Sequence, residues 1–222
     1  MLKVNNLTKT YGSTNVLNGI SFELDDNQVL GIIGAKGAGK TTLVKCILQI
    51  INQDSGSINI LFKEQHNQLE NIRKTFYIPR IFEYNIRLKP DDFILYYASV
   101  KKDDKEIVLD NFKYYCNFFR VRLETINKKI SDLTIGEQKI ILLIMSLSLN
   151  VRLLIIEEPY ENIDEKQTKI VSSILDTIKS LKISVIFTVR NENANKLQKF
   201  VDKLILIDKG KILKILDINK PK

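Results

Sequence analysis

The sequence predicts an α/β protein built on a largely parallel sheet. Three observations carry that prediction. Short apolar runs recur along the chain, helical patterns separate them, and a glycine-rich turn joins one run to the helix after it. In order, "LKV", "VLNGISFEL", "VLGII" and "SINILF" read as strands, punctuated by Gly12, Asp25-Asp26 and Ser55-Gly56. One helix interrupts them near Gly39, with Leu43, Ile47 and Ile50 at helical spacing. From about Ile81 to Lys129 the chain is charged, aromatic and helical in pattern. Its segment "DDKEIVLDNFKYYCNFF" is amphipathic, with aromatics read as core. The middle, about residues 81–135, is therefore expected to be an inserted helical subdomain of one domain spanning 1–222. A helix follows Gly136, then the strand at Leu153, a polar helix from Glu165 and the strand "SVIFTV". A short helix near Ala194 and the hairpin "KLILIDKGKILKIL", turning at Asp208-Lys209-Gly210, complete the pattern.

Composition bounds the function. At 44% hydrophobic and 27% charged residues, with nine glycines and four prolines, the chain has a globular balance and no disorder signature. The net charge of +8 fits either a polyanionic partner or a lysine-rich bias. The lysines are scattered, and the longest basic runs are pairs such as Lys101-Lys102 and Lys128-Lys129, which favours the bias; no nucleic-acid partner is expected. Cys46 and Cys116 match neither a disulfide framework nor a metal pattern, so a reducing compartment is the natural reading. A single histidine, His66, excludes a multi-histidine zinc site. "MLKVNNLTKTYG" lacks the apolar core of a signal peptide, and "IILLIMSLSL" is too short to span a bilayer. The expectation is a soluble, cytoplasmic chain that a partner holds at any membrane it serves.

The chemistry is concentrated in "VLGIIGAKGAGKTTL". Gly34, Ala35, Lys36, Gly37, Ala38, Gly39, Lys40 and Thr41 give the spacing G-x-x-x-x-G-K-T between a strand and a helix, with Thr42 next. Glycines let the backbone curl and aim its N–H groups at phosphate oxygens, and the helix adds its positive end. Lys40 is expected on the β- and γ-phosphates and the Thr41 hydroxyl on Mg²⁺. "LLIIEEPYENID", Leu153 to Asp164, ends an apolar strand in two adjacent acids. Alone, this reads as a strand reaching solvent. Beside a phosphate loop, Glu157 is a candidate metal ligand and Glu158 a candidate general base.

The stretch "LTIGEQ", Leu133 to Gln138, narrows the class. Here the sequence resembles the ATP-binding cassette (ABC) transporter ATPases over nearly the whole chain. Their signature, usually L-S-G-G-Q, is matched by Leu133-Thr134-Ile135-Gly136-Glu137. The resemblance implies a P-loop NTPase (RecA-like) core, an N-terminal antiparallel β subdomain and an inserted α-helical subdomain. It implies ATP and Mg²⁺ as cofactors, Tyr11 stacked on adenine, and a head-to-tail homodimer or heterodimer of ABC ATPases. In that dimer Thr134, Gly136 and Glu137 face the γ-phosphate bound to the other copy, and "ENID" crosses the interface with Asp164 as its acidic end. The partner implied is an integral membrane permease, with the chain peripheral on the cytoplasmic face. The form most resembles bacterial drug, bacteriocin and ion exporter ATPases, so export is expected.

Three positions depart from the family's pattern. Arg80 stands where a glutamine usually follows the strand "FYIP", and arginine offers donors only. Glu157 is one methylene longer than the usual aspartate. The switch histidine is missing: Arg190 follows "VIFTV", a gap-free count back from Asp202 reaches Glu192, and His66 lies in another segment. Arg190 is read either as a stand-in donor to the γ-phosphate or as a solvated strand end. The alternative function is a hydrolysis-impaired nucleotide switch, or the regulatory half of a heterodimer. An ABC ATPase of translation or DNA repair fits less well, because neither a second cassette nor a long coiled coil is visible.

Overall fold

The structure, a computed structural model, describes residues 1–62, 68–82 and 86–218. The chain opens with antiparallel strands β1 (Leu2–Tyr11) and β2 (Thr14–Leu24), then runs through β3 (Val29–Ile33) into helix α1 (Lys40–Ile47). Strand β4 (Ser55–Ile60), helix α2 (Gln68–Arg73) and strand β5 (Thr75–Ile78) follow. Three helices come next: α3 (Pro90–Lys101), α4 (Lys105–Phe118) and α5 (Leu123–Asn127). Then come α6 (Ile135–Ser148), β6 (Leu153–Glu157), α7 (Glu165–Ser180) and β7 (Ser184–Val189). Helix α8 (Ala194–Leu197) leads to the hairpin β8 (Lys203–Asp208) and β9 (Lys211–Asp217).

Two sheets result. The smaller has the order β2-β1-β4, antiparallel throughout. The larger has the order β5-β6-β7-β3-β8-β9, parallel except for β9. This arrangement carries the expected mixed, largely parallel sheet, separate antiparallel sheet and helical insertion.

Side-chain alternation explains why the inner strands read as continuous apolar runs. Along β6, Leu154 and Ile156 enter a core shared with α3, α4, α6 and α7. Leu153 and Ile155 enter a second core with α1 and the antiparallel sheet. The same parity sends Glu157, two residues after Ile155, toward the α1 side. Helix α1 is shorter than the apolar spacing suggested. Leu48 caps it, Gln49 takes φ 56°, and Ile50 falls beyond the helix, exposed. Helix α2 has too few turns to show a periodicity and was not expected. His66 lies outside the described residues. No helix among the described residues is long and apolar enough to cross a membrane.

Candidate nucleotide site

The parallel strands deliver their C-terminal ends to one edge, where open α/β sheets collect their chemistry. At the end of β3 the chain turns through Gly34 to Gly39. A Cβ at Gly34 would collide with the Ile207 carbonyl. Gly39 has φ 101°, and a Cβ there would sit 2.7 Å from the Val16 carbonyl oxygen. Both positions therefore require glycine. The loop borders a cleft of ≈ 310 Å³, which is also lined by Tyr11, Thr42, Arg80, Glu157, Glu158 and Arg190. Tyr11, about half exposed, sits on its rim. Lys36 and Gly37 are exposed on the loop and Ala38 is buried beneath it.

Lys40 is turned back on this loop. Its Nζ donates to the Gly34 carbonyl at 2.6 Å and to that of Ala35 at 3.0 Å. Burial holds the ammonium below the usual lysine range, against the pull of Glu158 and Glu157. The parity of β6 is realised at Glu157. Thr41 Oγ1 donates to its Oε1 at 2.7 Å, and the Tyr77 hydroxyl donates to its Oε2 at 2.6 Å. Hydroxyl and carboxylate oxygens of this kind suit Mg²⁺, which completes its shell with phosphate oxygens and water. The two residues named as metal ligands are thus in contact, despite the longer side chain. Among the described residues no group of three or more His, Cys, Asp or Glu is assembled as a metal site of its own.

Glu158 leaves the strand. Its φ is 47°, a left-handed value uncommon for a non-glycine residue, and its N–H donates to the Thr188 carbonyl at 2.8 Å. The residue is 4% exposed, and its Oε2 is buried without a hydrogen-bond partner. Burial raises its carboxyl above the ordinary range, opposed by the Arg190 backbone N–H and the Lys40 charge. A buried, poised carboxylate on the wall of a phosphate cleft is equipped to accept a proton from water.

Arg80 and Arg190 meet at one acid, Glu161. Arg80 grips Glu161 through two hydrogen bonds, from Nε and, at 2.7 Å, from a terminal nitrogen. Arg190 lies 3.3 Å from Glu161, 4.0 Å from Glu158 and 3.8 Å from Glu192. Arg190 is therefore half-buried on the cleft wall and not a solvated strand end, whereas Glu192 is exposed. Beneath them Lys139 of α6, 3% exposed, donates to the carbonyls of Glu158 at 2.7 Å and Glu161 at 2.9 Å. Burial brings its pKa down to about 8. Sequence reasoning missed Lys139, Tyr77 and the role of Glu161. A lysine inside the apolar run after "LTIGEQ" was the one available signal.

Thr134, Gly136 and Glu137 lie apart from this cleft. Thr134 caps α6, accepting from the Glu137 N–H, while the Glu137 carboxylate accepts from the Thr134 N–H in return. Asp164 caps α7 in the same reciprocal way with Gln167. The Gln167 amide covers Gly136 so closely that a Cβ there would strike it. Thr134, Glu137, Asp164, Lys166 and Gln167 border a second cavity of ≈ 270 Å³, together with Arg120 and Arg122. The signature is built, but it does not reach the phosphate loop of its own chain.

Comparison with known proteins agrees with this geometry. The ABC transporter family model matches residues 17–161. The uncharacterized ABC transporter ATP-binding protein YhaQ of Bacillus subtilis is 26% identical over 211 residues, covering 95% of this chain and 69% of that protein. The methionine import ATP-binding protein MetN of Clostridioides difficile is 25% identical over 231 residues, covering 98% and 68%. The molybdate/tungstate import ATP-binding protein WtpC of Methanocaldococcus jannaschii is 32% identical over 182 residues, covering 82% and 59%. Among solved structures, the dimeric post-hydrolysis state of the ATP-binding cassette MJ0796 bound to ADP and Pi aligns with a TM-score of 0.84. It is 17% identical and covers 99% of this chain and 100% of that one. The chain therefore belongs to the ABC transporter family, as an ATP-binding subunit with ATPase activity.

Proposed function

We propose that this subunit drives a separate membrane permease by ATP-dependent head-to-tail dimerisation, with Mg²⁺ held by Thr41 and Glu157 and Glu158 acting as general base. The observation that carries the reading is Glu158: buried, with one oxygen unpartnered, on the wall of the cleft that the phosphate loop borders. The loop amides and Lys40 take the phosphate chain, Lys40 exchanging the Gly34 and Ala35 carbonyls for phosphate oxygens. Tyr77 and Thr41 hold Glu157 in place. Bound Mg²⁺ would offset charge on the phosphate oxygens. Glu158 removes a proton from the attacking water, and the γ-phosphate leaves ADP. The signature at Thr134, Gly136 and Glu137 serves the other copy's nucleotide, whether that copy is this chain or a second ABC ATPase. The subunit sits on the cytoplasmic face, held by the permease.

The test is phosphate release by wild type and by Glu158→Gln, each with and without the permease recovered from native membrane. General-base loss lowers turnover about 10²-fold or more. Wild type no faster than Glu158→Gln, with the permease present, would replace this reading by a nucleotide-binding switch. The engagement of both arginines with Glu161 is the feature that favours the switch, since Arg80 stands where the family carries a glutamine and Arg190 is, with Glu192, one of two candidates for the switch-histidine position. For direction, the resemblance to exporter ATPases favours export, whereas the MetN and WtpC relatives are named as importers. Uptake and efflux measured in vesicles separate the two.

A further inference from the structure

Three of the four cations that line the phosphate cleft are engaged from within the chain, and the fourth, Lys36, is exposed on the loop. Lys40 is on two loop carbonyls, and Arg80 and Arg190 are both on Glu161. The two arginines are not held alike. Arg80 makes a two-bond fork, the strong form of a guanidinium–carboxylate contact. Arg190 makes only ion-pair approaches of 3.3 to 4.0 Å, divided among Glu161, Glu158 and Glu192. Arg190 is also beside Glu158, the carboxylate assigned to water attacking the terminal phosphorus. Its guanidinium thus shares the cleft wall with the Glu158 carboxylate.

We propose that Glu161 is an internal stand-in for the terminal phosphate: Arg80 anchors it, and Arg190 exchanges from it onto the γ-phosphate, so that the cleft distinguishes a nucleoside triphosphate from a diphosphate. This rests on the phosphate loop being the nucleotide site. It makes Glu161 a competitor and Arg80 a positioning residue that weakens the competition by taking both carboxylate oxygens. Lys139, whose ammonium holds the Glu161 carbonyl, keeps the competitor's backbone in place.

The consequence is a pattern of opposite signs within one ion-pair network. The experiment is calorimetric titration of the full chain with Mg²⁺-ADP and with the Mg²⁺ complex of a non-hydrolysable ATP analogue, adenylyl imidodiphosphate. Glu161→Gln removes the competing charge and raises analogue affinity about tenfold, the scale of one charge-assisted hydrogen bond, with ADP unchanged. Arg80→Ala leaves Glu161 wholly to Arg190 and lowers analogue affinity alone. Arg190→Ala lowers it as well, and the double variant Glu161→Gln/Arg190→Ala gains nothing over Arg190→Ala. A fall in analogue affinity in Glu161→Gln, an equal change for ADP, or a gain that survives in the double variant overturns the proposal. If Glu161→Gln does not fold, Arg80→Ala decides: analogue affinity that is unchanged, or that moves together with ADP, overturns the proposal. Lys40→Ala is the separate control. Retention of both nucleotides in that variant overturns the nucleotide-site reading itself. Loss of both, with the ratio unmoved in Glu161→Gln, overturns the latch alone.

Discussion

At the scale of the residue, the site carries its function as local cost. Glu158 combines a left-handed backbone, burial and an unpartnered oxygen, each unfavourable by itself. Its folded-state pKa is raised, so its contribution to stability is present below the ordinary carboxylate range and is lost as pH rises through the raised value. At neutral pH the charged form is therefore a burden. Glu158→Gln, the variant that removes the proposed general base, should melt at a higher temperature than wild type at pH 7 without nucleotide, and the gain should vanish toward pH 4. A melting series across that range checks it; a gain independent of pH would assign the effect to packing. Tyr77 is the converse case, because its hydroxyl fixes one oxygen of Glu157 while Thr41 takes the other. Tyr77→Phe should raise the Mg²⁺ concentration needed for half-maximal nucleotide binding several-fold, the loss of one hydrogen bond to a charged group. Equal Mg²⁺ titrations for the two chains would remove Tyr77 from the site. The loop residues and the two acids were legible because each set is contiguous in sequence. Glu161 was not, since its grip on Arg80 joins residues 81 positions apart. Only the adjacency of β5 and β6 brings that pair together.

At the scale of the element, α6 does more than present the signature. Its capping box was visible as Thr134 followed three residues later by Glu137. Its lysine was hidden, because a charge inside "IGEQKIILLIM" reads as a solvated face until the helix is seen buried on nearly every side. Lys139 links the signature helix to the turn that carries Glu158 and Glu161. The pKa of about 8, against 10.5 for a free lysine, makes that link measurable. The unfolded chain binds more protons than the folded one between those values, so this group's contribution to stability rises with pH across the window. The unfolding free energy of wild type minus that of Lys139→Met should therefore move in favour of wild type from pH 8 to 10.5, by on the order of 3 kcal/mol. The difference cancels the many other groups that titrate there, Lys101 included. A flat difference would mean that Lys139 carries no depressed pKa and that water reaches its ammonium.

At the scale of the whole molecule, the nucleotide cleft and the signature cavity share no lining residue. On the proposed head-to-tail reading, a chain with its phosphate loop in one place and its signature in another needs a second copy to complete each site. Sequence alone suggested this only through resemblance, because no spacing tells how far apart two motifs lie after folding. The prediction that tests it uses Lys166, an exposed residue in the first turn of α7 that borders the signature cavity. Acidic side chains are favoured in a first turn by the helix dipole, so Lys166→Glu should leave the fold at least as stable as before. It also adds a negative charge to the cavity that Thr134 and Glu137 line, where the proposed dimer puts a second copy's γ-phosphate. In a Glu158→Gln background, ATP should convert monomer to dimer by light scattering, whereas ADP should not. Adding Lys166→Glu should weaken that ATP-driven dimer about tenfold or more, as like charges at an interface do, while monomer affinity for ATP stays the same. If the double variant dimerises as readily as Glu158→Gln alone, the signature cavity does not meet the second nucleotide, and the head-to-tail arrangement is lost with it.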